Sequence, residues 1–515
     1  MSQAIKDVCR RYKNDMGNAK KNHYSQILKY TGLFGGIQGL NVLVGLVRNK
    51  LVALLLGPQG MGLSALFSSS VKLVSDSTNL GLGVSAVREI ADAYSQDDVK
   101  RTEQLVCTLR SWCALTAVVG SLLFAVMCPL FGTMAFSGSD NSHVAELLLL
   151  SPLVGLMAIS GGETAILKAT RHLGELARLS TYNVVLALLA SVPLFWAFGM
   201  AAVAPSLLLI GVLQTAVTVA CSFRHYPLRV SWRREVLARG MGVVKLGVAF
   251  VLAGVMGSGA EFVVRSWLAR VGTETAVGLY NAGFLLAVTY VGMIFTAMET
   301  DYFPRLSAVC MKRSAVSGTV NRQAEVSVLL IAPILLTFMF LLPVLLPLLF
   351  SGKFMPVLGM MQVASVSMLF RALYLPVEYL PLANGDSKSY CLLECVNDLC
   401  MVAFVLGGYH FWGLYGTGVG LCAAAFVETV VSFVYTRWHY GYRVSASLLR
   451  YVGMQLPLIL IGYAVTFVGG GLAYWVAGAA VVTVSAGISL YIIAKKTELW
   501  TWRRKGNDGK EETEG

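Results

Sequence analysis

From Tyr30 to residue 494 the sequence is a succession of long apolar runs separated by short polar connectors. A helix of about 20 apolar residues crosses the hydrocarbon layer, and only helices or closed barrels satisfy every backbone group in lipid. These runs are too long and continuous for the alternating strands of about 10 residues found in a barrel. Fourteen spans are predicted: 30–56, 63–93, 105–131, 143–168, 176–199, 201–222, 241–270, 276–303, 325–350, 355–383, 388–411, 413–437, 448–469 and 471–494. The chain reads as an all-α polytopic membrane protein. At 56% hydrophobic and 13% charged it is far from the about 45–50% and 25% of a soluble domain. Fourteen spans use most of the 515 residues, which excludes a large soluble catalytic domain.

The net charge of +13 would suggest nucleic acid in a soluble protein, but here the basic residues crowd into alternate connectors. One set holds Lys100 and Arg101; Lys168, Arg171 and Arg178; Arg224, Arg229, Arg233, Arg234 and Arg239; Arg305, Lys312, Arg313 and Arg322; Lys388; and Arg437, Arg443 and Arg450. The other set holds Lys353. Excess Lys and Arg mark the cytoplasmic side, so both termini are expected in the cytoplasm. No signal peptide is read in the polar, basic first 29 residues. The ten cysteines form no CxxC pair and read as small hydrophobes. No metal spacing, P-loop, GxSxG or Rossmann fingerprint is present, so neither an enzyme nor a cofactor is expected.

An internal echo suggests two halves. The stretch VRNKLVALLLGPQGMGLSALF from Val47 and the stretch VRSWLARVGTETAVGLYNAGF from Val264 share Val-Arg, an exit glycine (Gly57, Gly272) and a Gly-Leu step opening the next helix (Gly62, Gly278). They lie six spans apart, as in transporters built from two parallel six-helix halves. The expected organisation is a basic leader (1–29), a first lobe (30–222), a basic linker (223–240), a second lobe (241–437), two appended helices (438–494) and a charged tail (495–515).

A charge at the bilayer centre costs at least about 2.5–3.5 kcal/mol, so it should face a cavity or a partner. The basic candidates are Arg48, Lys50, Lys72, Arg265, Arg270 and Arg371; the acidic ones are Asp76, Glu163, Glu261, Glu378, Glu394, Asp398 and Glu428. Lys72 with Asp76, and Glu261 with Arg265, are spaced i,i+4 and can neutralise each other on one helix face. Arg48, Lys50 and Arg371 have no acidic neighbour within a helical turn. Arg48, Arg265 and Arg270 belong to corresponding spans and would form a cationic pocket if the halves faced each other, although Arg270 could instead snorkel outward. Guanidinium suits phosphate because its planar fork donates two hydrogen bonds. Glu163, after Gly161 and Gly162, is either a cavity carboxylate or a buried hydrogen-bonded one. With Glu261 and Asp76 it is the candidate for ion coupling.

The stretches GGIQGLNVLVGLVRNKLVALLLGPQGMGLSALF (35–67), NLGLGVSAVREIADAY (79–94) and GLYNAGFLLAVTYVGMIFTAMETDYFPRLS (278–307) resemble bacterial polysaccharide flippases of the O-antigen and enterobacterial-common-antigen type. These belong to the multidrug/oligosaccharidyl-lipid/polysaccharide exporter superfamily. The resemblance implies two six-helix lobes in a V around a cavity lined by spans 1, 2, 7 and 8. It implies an undecaprenyl-diphosphate-linked oligosaccharide as cargo, moved from the cytoplasmic to the periplasmic leaflet of the inner membrane. Polysaccharide polymerase and chain-length machinery would be its partners. Fourteen spans depart from the twelve of many relatives. The competing expectations are a drug or cation exporter of the same superfamily, or a membrane glycan polymerase or ligase, for which the outer connectors are short.

Overall fold

The computed structural model describes residues 2–136, 142–309, 313–469 and 471–511, which are helical apart from short connections. Side chains are described for these residues except at 2–38, 84, 142, 173, 234–240, 242–250, 253, 296–297, 299–301, 313–315 and 497–511. The basic residues of the leader and most of the charged tail therefore lie outside the described side chains.

Helix α1 (Ser2–Thr78) is kinked at Gly57 and carries the first two spans. A loop over 57–62 is expected from sequence, but the turn is made at Gly57 (φ 65°), a conformation glycine adopts without strain. Pro58, which needs no hydrogen bond for its nitrogen, opens the next segment. The second expected span is also shorter than its apolar run. It breaks at Leu80 and Gly81, both at positive φ, where the Asn79 side chain accepts a hydrogen bond from the Gly81 amide (2.7 Å), and α2 (Leu82–Ser95) follows.

After α3 (Val99–Ala135), the fourth span divides into α4 (Ser142–Leu149) and α5 (Ser151–Ala169), with a proline in the first turn of α5. Helices α6 (Leu173–Phe198) and α7 (Val203–Phe223) pack side by side across a short turn. The second half starts with α8 (Arg234–Val271) and α9 (Glu274–Phe284). A π-helical turn at 285–290 then leads into α10 (Val291–Val309). Next come α11 (Arg313–Leu349), α12 (Leu358–Ala383) and the double-length α13 (Ser387–Tyr440), broken at Trp412 and Gly413. Helices α14 (Ala446–Val465) and α15 (Leu472–Glu511) lie against α11. The Tyr474 hydroxyl donates to the Phe340 carbonyl (3.0 Å) in that contact.

Ten helical stretches among the described residues are long and apolar enough to cross a membrane. Three of them, 39–78, 174–223 and 387–440, contain a break and correspond to two expected spans each. With α8, the fourteen expected spans are accounted for.

The halves meet where the sequence echoes itself. A Cβ on Gly62 would lie 1.9 Å from the Glu274 carbonyl oxygen, and one on Gly278 would lie 1.8 Å from that of Pro58. Each glycine thus lets the other segment's backbone approach as closely as in small-residue packing between membrane helices. The contact is reciprocal, as a pseudo-twofold relation between the halves requires. Around it, Gln59 donates to Glu274 (3.1 Å), and Phe131 of α3 stacks edge-on to Phe262 of α8 (5.2 Å between centroids).

Candidate functional site

Below the glycine contact, polar side chains from both halves face one another. Lys72, on the second segment of α1, is 3.4 Å from Glu261 Oε1 of α8. Arg265, one turn along α8, is 3.1 Å from the other carboxylate oxygen. Glu261 therefore stands between two cations, one from each half. The i,i+4 pair of Glu261 and Arg265 forms, whereas Lys72 reaches across the seam to Glu261 rather than pairing with Asp76. The Lys72 side chain is 45% exposed and that of Arg265 13%, so the bridge is open on the Lys72 side. Arg265 Nε is buried without a hydrogen-bond partner, which leaves one donor of its fork unused. Asp76 lies beside Ser258 of α8, and Asp398 of α13 approaches α8 at Gly257.

Arg48 is half-buried on the first segment of α1, its Nε donating to Ser191 Oγ of α6 (3.3 Å). Its neighbour Asn49 crosses the seam to donate to the Tyr290 hydroxyl (3.1 Å) at the π-helical turn. Arg48 is thus held by α6 of its own half, on the segment of α1 before the Gly57 kink, whereas Lys72 lies on the segment after it.

The other expected cations sit elsewhere. Lys50 donates to the Pro347 carbonyl (2.7 Å), one of the last carbonyls of α11, which have no partner within their own helix. It fastens a helix end instead of facing a cavity. Arg270 is exposed in the last turn of α8, where a cation complements the helix dipole. Arg371 lies in the second half with its guanidinium over the Phe295 ring (5.9 Å) and its Nε buried without a hydrogen-bond partner.

Glu163 takes the second of its two expected forms, a buried hydrogen-bonded carboxylate. Both its oxygens are taken by Arg110 of α3 (2.8 and 2.9 Å), and Ser222 of α7 donates to it (2.5 Å). Arg110 donates further to the carbonyls of Tyr226 (3.0 Å) and Pro227 (2.8 Å). The pair lines a largely apolar cavity of about 420 Å³ within the first half. It ties α3, α5 and α7 to the basic linker. Arg110 carried a visible signal, an arginine inside the run 105–131, but is absent from the candidates above.

A second polar cluster lies within the second half. Glu378 of α12 interacts electrostatically with Arg371 and with Glu394, Asp398 and Glu428 of α13. Tyr390 donates to Glu394 (2.6 Å) and Ser432 to Glu428 (3.1 Å). One oxygen each of Glu378 and Glu428 is buried without a hydrogen-bond partner. A buried carboxylate oxygen without a hydrogen-bond partner is costly, so this cluster is the most strained polar group of the second half among the described residues.

Comparison with known proteins fits this architecture. A family profile described as polysaccharide biosynthesis protein matches residues 51–359. The lipid II flippase MurJ in an inward closed conformation superposes with a TM-score of 0.65 and 12% identity, covering 90% of this chain and 99% of that one. An inward-facing multidrug resistance MATE family transporter superposes with a TM-score of 0.62 and 16% identity, covering 78% and 94%. A transporter of the same superfamily from Pyrococcus furiosus, described as having a binding pocket of reverse polarity, gives 0.54 and 14%, covering 79% and 93%. At such identities these likenesses establish the fold. No curated protein matches the sequence. The profile spans more than half of the chain and includes both segments of the bridge, so this multi-pass membrane protein belongs to the polysaccharide biosynthesis protein family.

Proposed function

We propose that the protein flips an undecaprenyl-diphosphate-linked oligosaccharide from the cytoplasmic to the periplasmic leaflet of the bacterial inner membrane, with both termini cytoplasmic. The observation that carries this reading is the Lys72–Glu261–Arg265 bridge, in which two cations from opposite halves share one carboxylate. A diphosphate is a stronger bidentate acceptor than a lone carboxylate. On arrival it displaces Glu261 and takes over Lys72 and Arg265, and Arg48 exchanges Ser191 for the headgroup. The glycan occupies the space between lobes 30–222 and 241–437, and the polyprenyl chain stays in lipid. Cargo that binds one lobe arrangement better than the other shifts the population toward it, and rocking about the fixed site opens the Gly62–Gly278 contact outward. Glu261, Asp76 and the carboxylates around Glu378 supply the exchangeable protons or cations for resetting.

The test is the leaflet in which lipid-linked repeat units accumulate when the gene is deleted. Accumulation on the cytoplasmic side supports the proposal; normal periplasmic exposure, in a strain without another flippase, contradicts it. The acidic cluster of the second half favours a second reading, export of cationic compounds. Unchanged drug susceptibility in the deleted strain separates the two.

A further inference from the structure

Glu274, in the first turn of α9, stands where the two halves converge on the glycine contact. Its backbone carbonyl is the one that Gly62 admits, and its Oε2 accepts from Gln59 of α1 (3.1 Å). Its Oε1 lies 3.5 Å from Nε2 of His143, at the start of α4 in the first half. The other ring nitrogen of His143, Nδ1, is 3.0 Å from Oε2 of Glu146, one turn along α4. The imidazole stacks on the Phe136 ring (4.4 Å between centroids) and meets Phe67 edge-on (6.2 Å). Among the described residues, the adjoining stretches 57–67 of α1, 129–135 of α3, 151–155 of α5 and 203–207 of α7 carry no ionisable side chain. The one basic residue of the connectors at this end, Lys353, approaches Gly57.

Both ring nitrogens of His143 thus face a carboxylate, one from each half. A neutral imidazole has one N–H donor and one lone pair, so in that form it would turn a lone pair toward an anion. The imidazolium donates from both nitrogens, and a cation over an aromatic face is favoured as well. The arrangement suits the protonated ring. The side chains of His143, Glu146 and Glu274 are 27%, 32% and 23% exposed, which lets water deliver the proton. When that proton leaves, the nearer Glu146 claims the remaining N–H, and the contact across the seam is the one that is lost.

We propose that His143 is a proton-binding residue that latches the two halves together. Protonated, it holds Glu274 across the seam; deprotonated, it lets go. Acid therefore favours the closed arrangement seen here, and alkali favours parting of the halves. Histidine is the side chain whose charge changes between about pH 5 and 8, so the latch answers to the medium on the side whose connectors are poor in Lys and Arg. The site is separate from the Lys72–Glu261–Arg265 bridge and does not depend on the cargo proposed above.

The test is the rate at which a water-soluble methanethiosulfonate modifies Met61→Cys in the purified full-length chain, read by mass spectrometry on the peptide carrying residue 61. Met61 is 7% exposed, so its modification reports parting of the seam. The rate is compared with and without His143→Gln at the same pH, which cancels ionisation of the thiol. Breaking a partly exposed ion pair predicts that the variant reacts about five-fold faster at about pH 5.5. The two rates should converge by about pH 8.5, where the parent has lost its imidazolium too. Glu274→Gln, which keeps an acceptor for Gln59, should reproduce that pattern and decides the matter if His143→Gln does not elute as a folded protein. His410→Gln, at an exposed histidine of the second half, should leave the rate unchanged at both pH values. Equal rates in parent and variant throughout overturn the proposal. An equal acceleration at both pH values overturns it as well, because it marks the His143 ring as packing alone, and so does a pH-dependent acceleration in His410→Gln.

Discussion

Arg110 and Glu163 show what a buried charge does when its partner is also buried. Each side chain is 4% exposed, and removing one member of such a pair leaves the other uncompensated at a cost of about 3–5 kcal/mol. Glu163→Gln should therefore lower the unfolding free energy by about 3 kcal/mol, near the bottom of that range, because Arg110 keeps its two carbonyl partners. Thermal melting in detergent measures this, and transport per folded molecule should be unchanged. Lost transport with an unchanged melting point would return Glu163 to the coupling carboxylates. Asp386, in the turn between α12 and α13, is the clearest pH-sensitive group outside the membrane. Hydrogen bonds from the Ser389 hydroxyl and amide and from Tyr440 hold its carboxyl at about 2, below an ordinary 3.8. A depressed folded value means the stabilisation is complete above about pH 4 and is lost as pH falls toward 2. Amide exchange at 387–390 should accelerate over that window in the wild type and be high and pH-independent, after correction for intrinsic rates, in Asp386→Asn. Sequence made the charges visible and one pairing, Glu261 with Arg265, but not the other partners. Spacing suggested Lys72 with Asp76, one turn apart, whereas the bridge joins residues 189 positions apart because α1 and α8 cross there. The acceptor of Lys50 is a backbone carbonyl, which no side-chain pattern reveals.

At the scale of elements, hydropathy located the spans well because lipid leaves few alternatives to a helix. It was blind to breaks within an apolar run: the interruption at Leu80 and Gly81 and the π-helical turn at 285–290 occur where hydropathy does not change. The repeat was legible, and its two Gly-Leu steps form a close inter-half contact because any Cβ there would overlap a carbonyl. Gly62→Val should therefore prevent the outer seam from closing as it does here. Transport should fall at least tenfold, about 1.4 kcal/mol or more on the closed state. A cysteine placed at Met61, 7% exposed here, should react with a water-soluble thiol reagent in that variant and not in the otherwise unaltered protein. Full transport in Gly62→Val would mean that the reciprocal contact is not part of the cycle.

At the scale of the molecule, the two halves are joined at one end by backbone contact and farther in by charge, and those are different kinds of contact. The glycine contact is short-ranged and either made or broken. The Lys72–Glu261–Arg265 bridge can exchange its carboxylate for another anion without moving a helix. That combination suits a carrier whose cargo has an anionic headgroup and whose cycle requires the halves to part. On the function proposed above, the choice of glycan would reside in the shape of the space between the lobes, which no motif in the sequence encodes. The most direct measurement is the rate at which undecaprenyl-diphosphate-linked oligosaccharide crosses the bilayer of proteoliposomes containing the purified protein, compared with protein carrying Arg48→Gln and Arg265→Gln. Losing two charge-assisted contacts of about 1.5–3 kcal/mol each predicts a fall of at least a hundredfold in crossing with the fold intact. Equal crossing by the two proteins would contradict the claim that these guanidinium groups carry the headgroup.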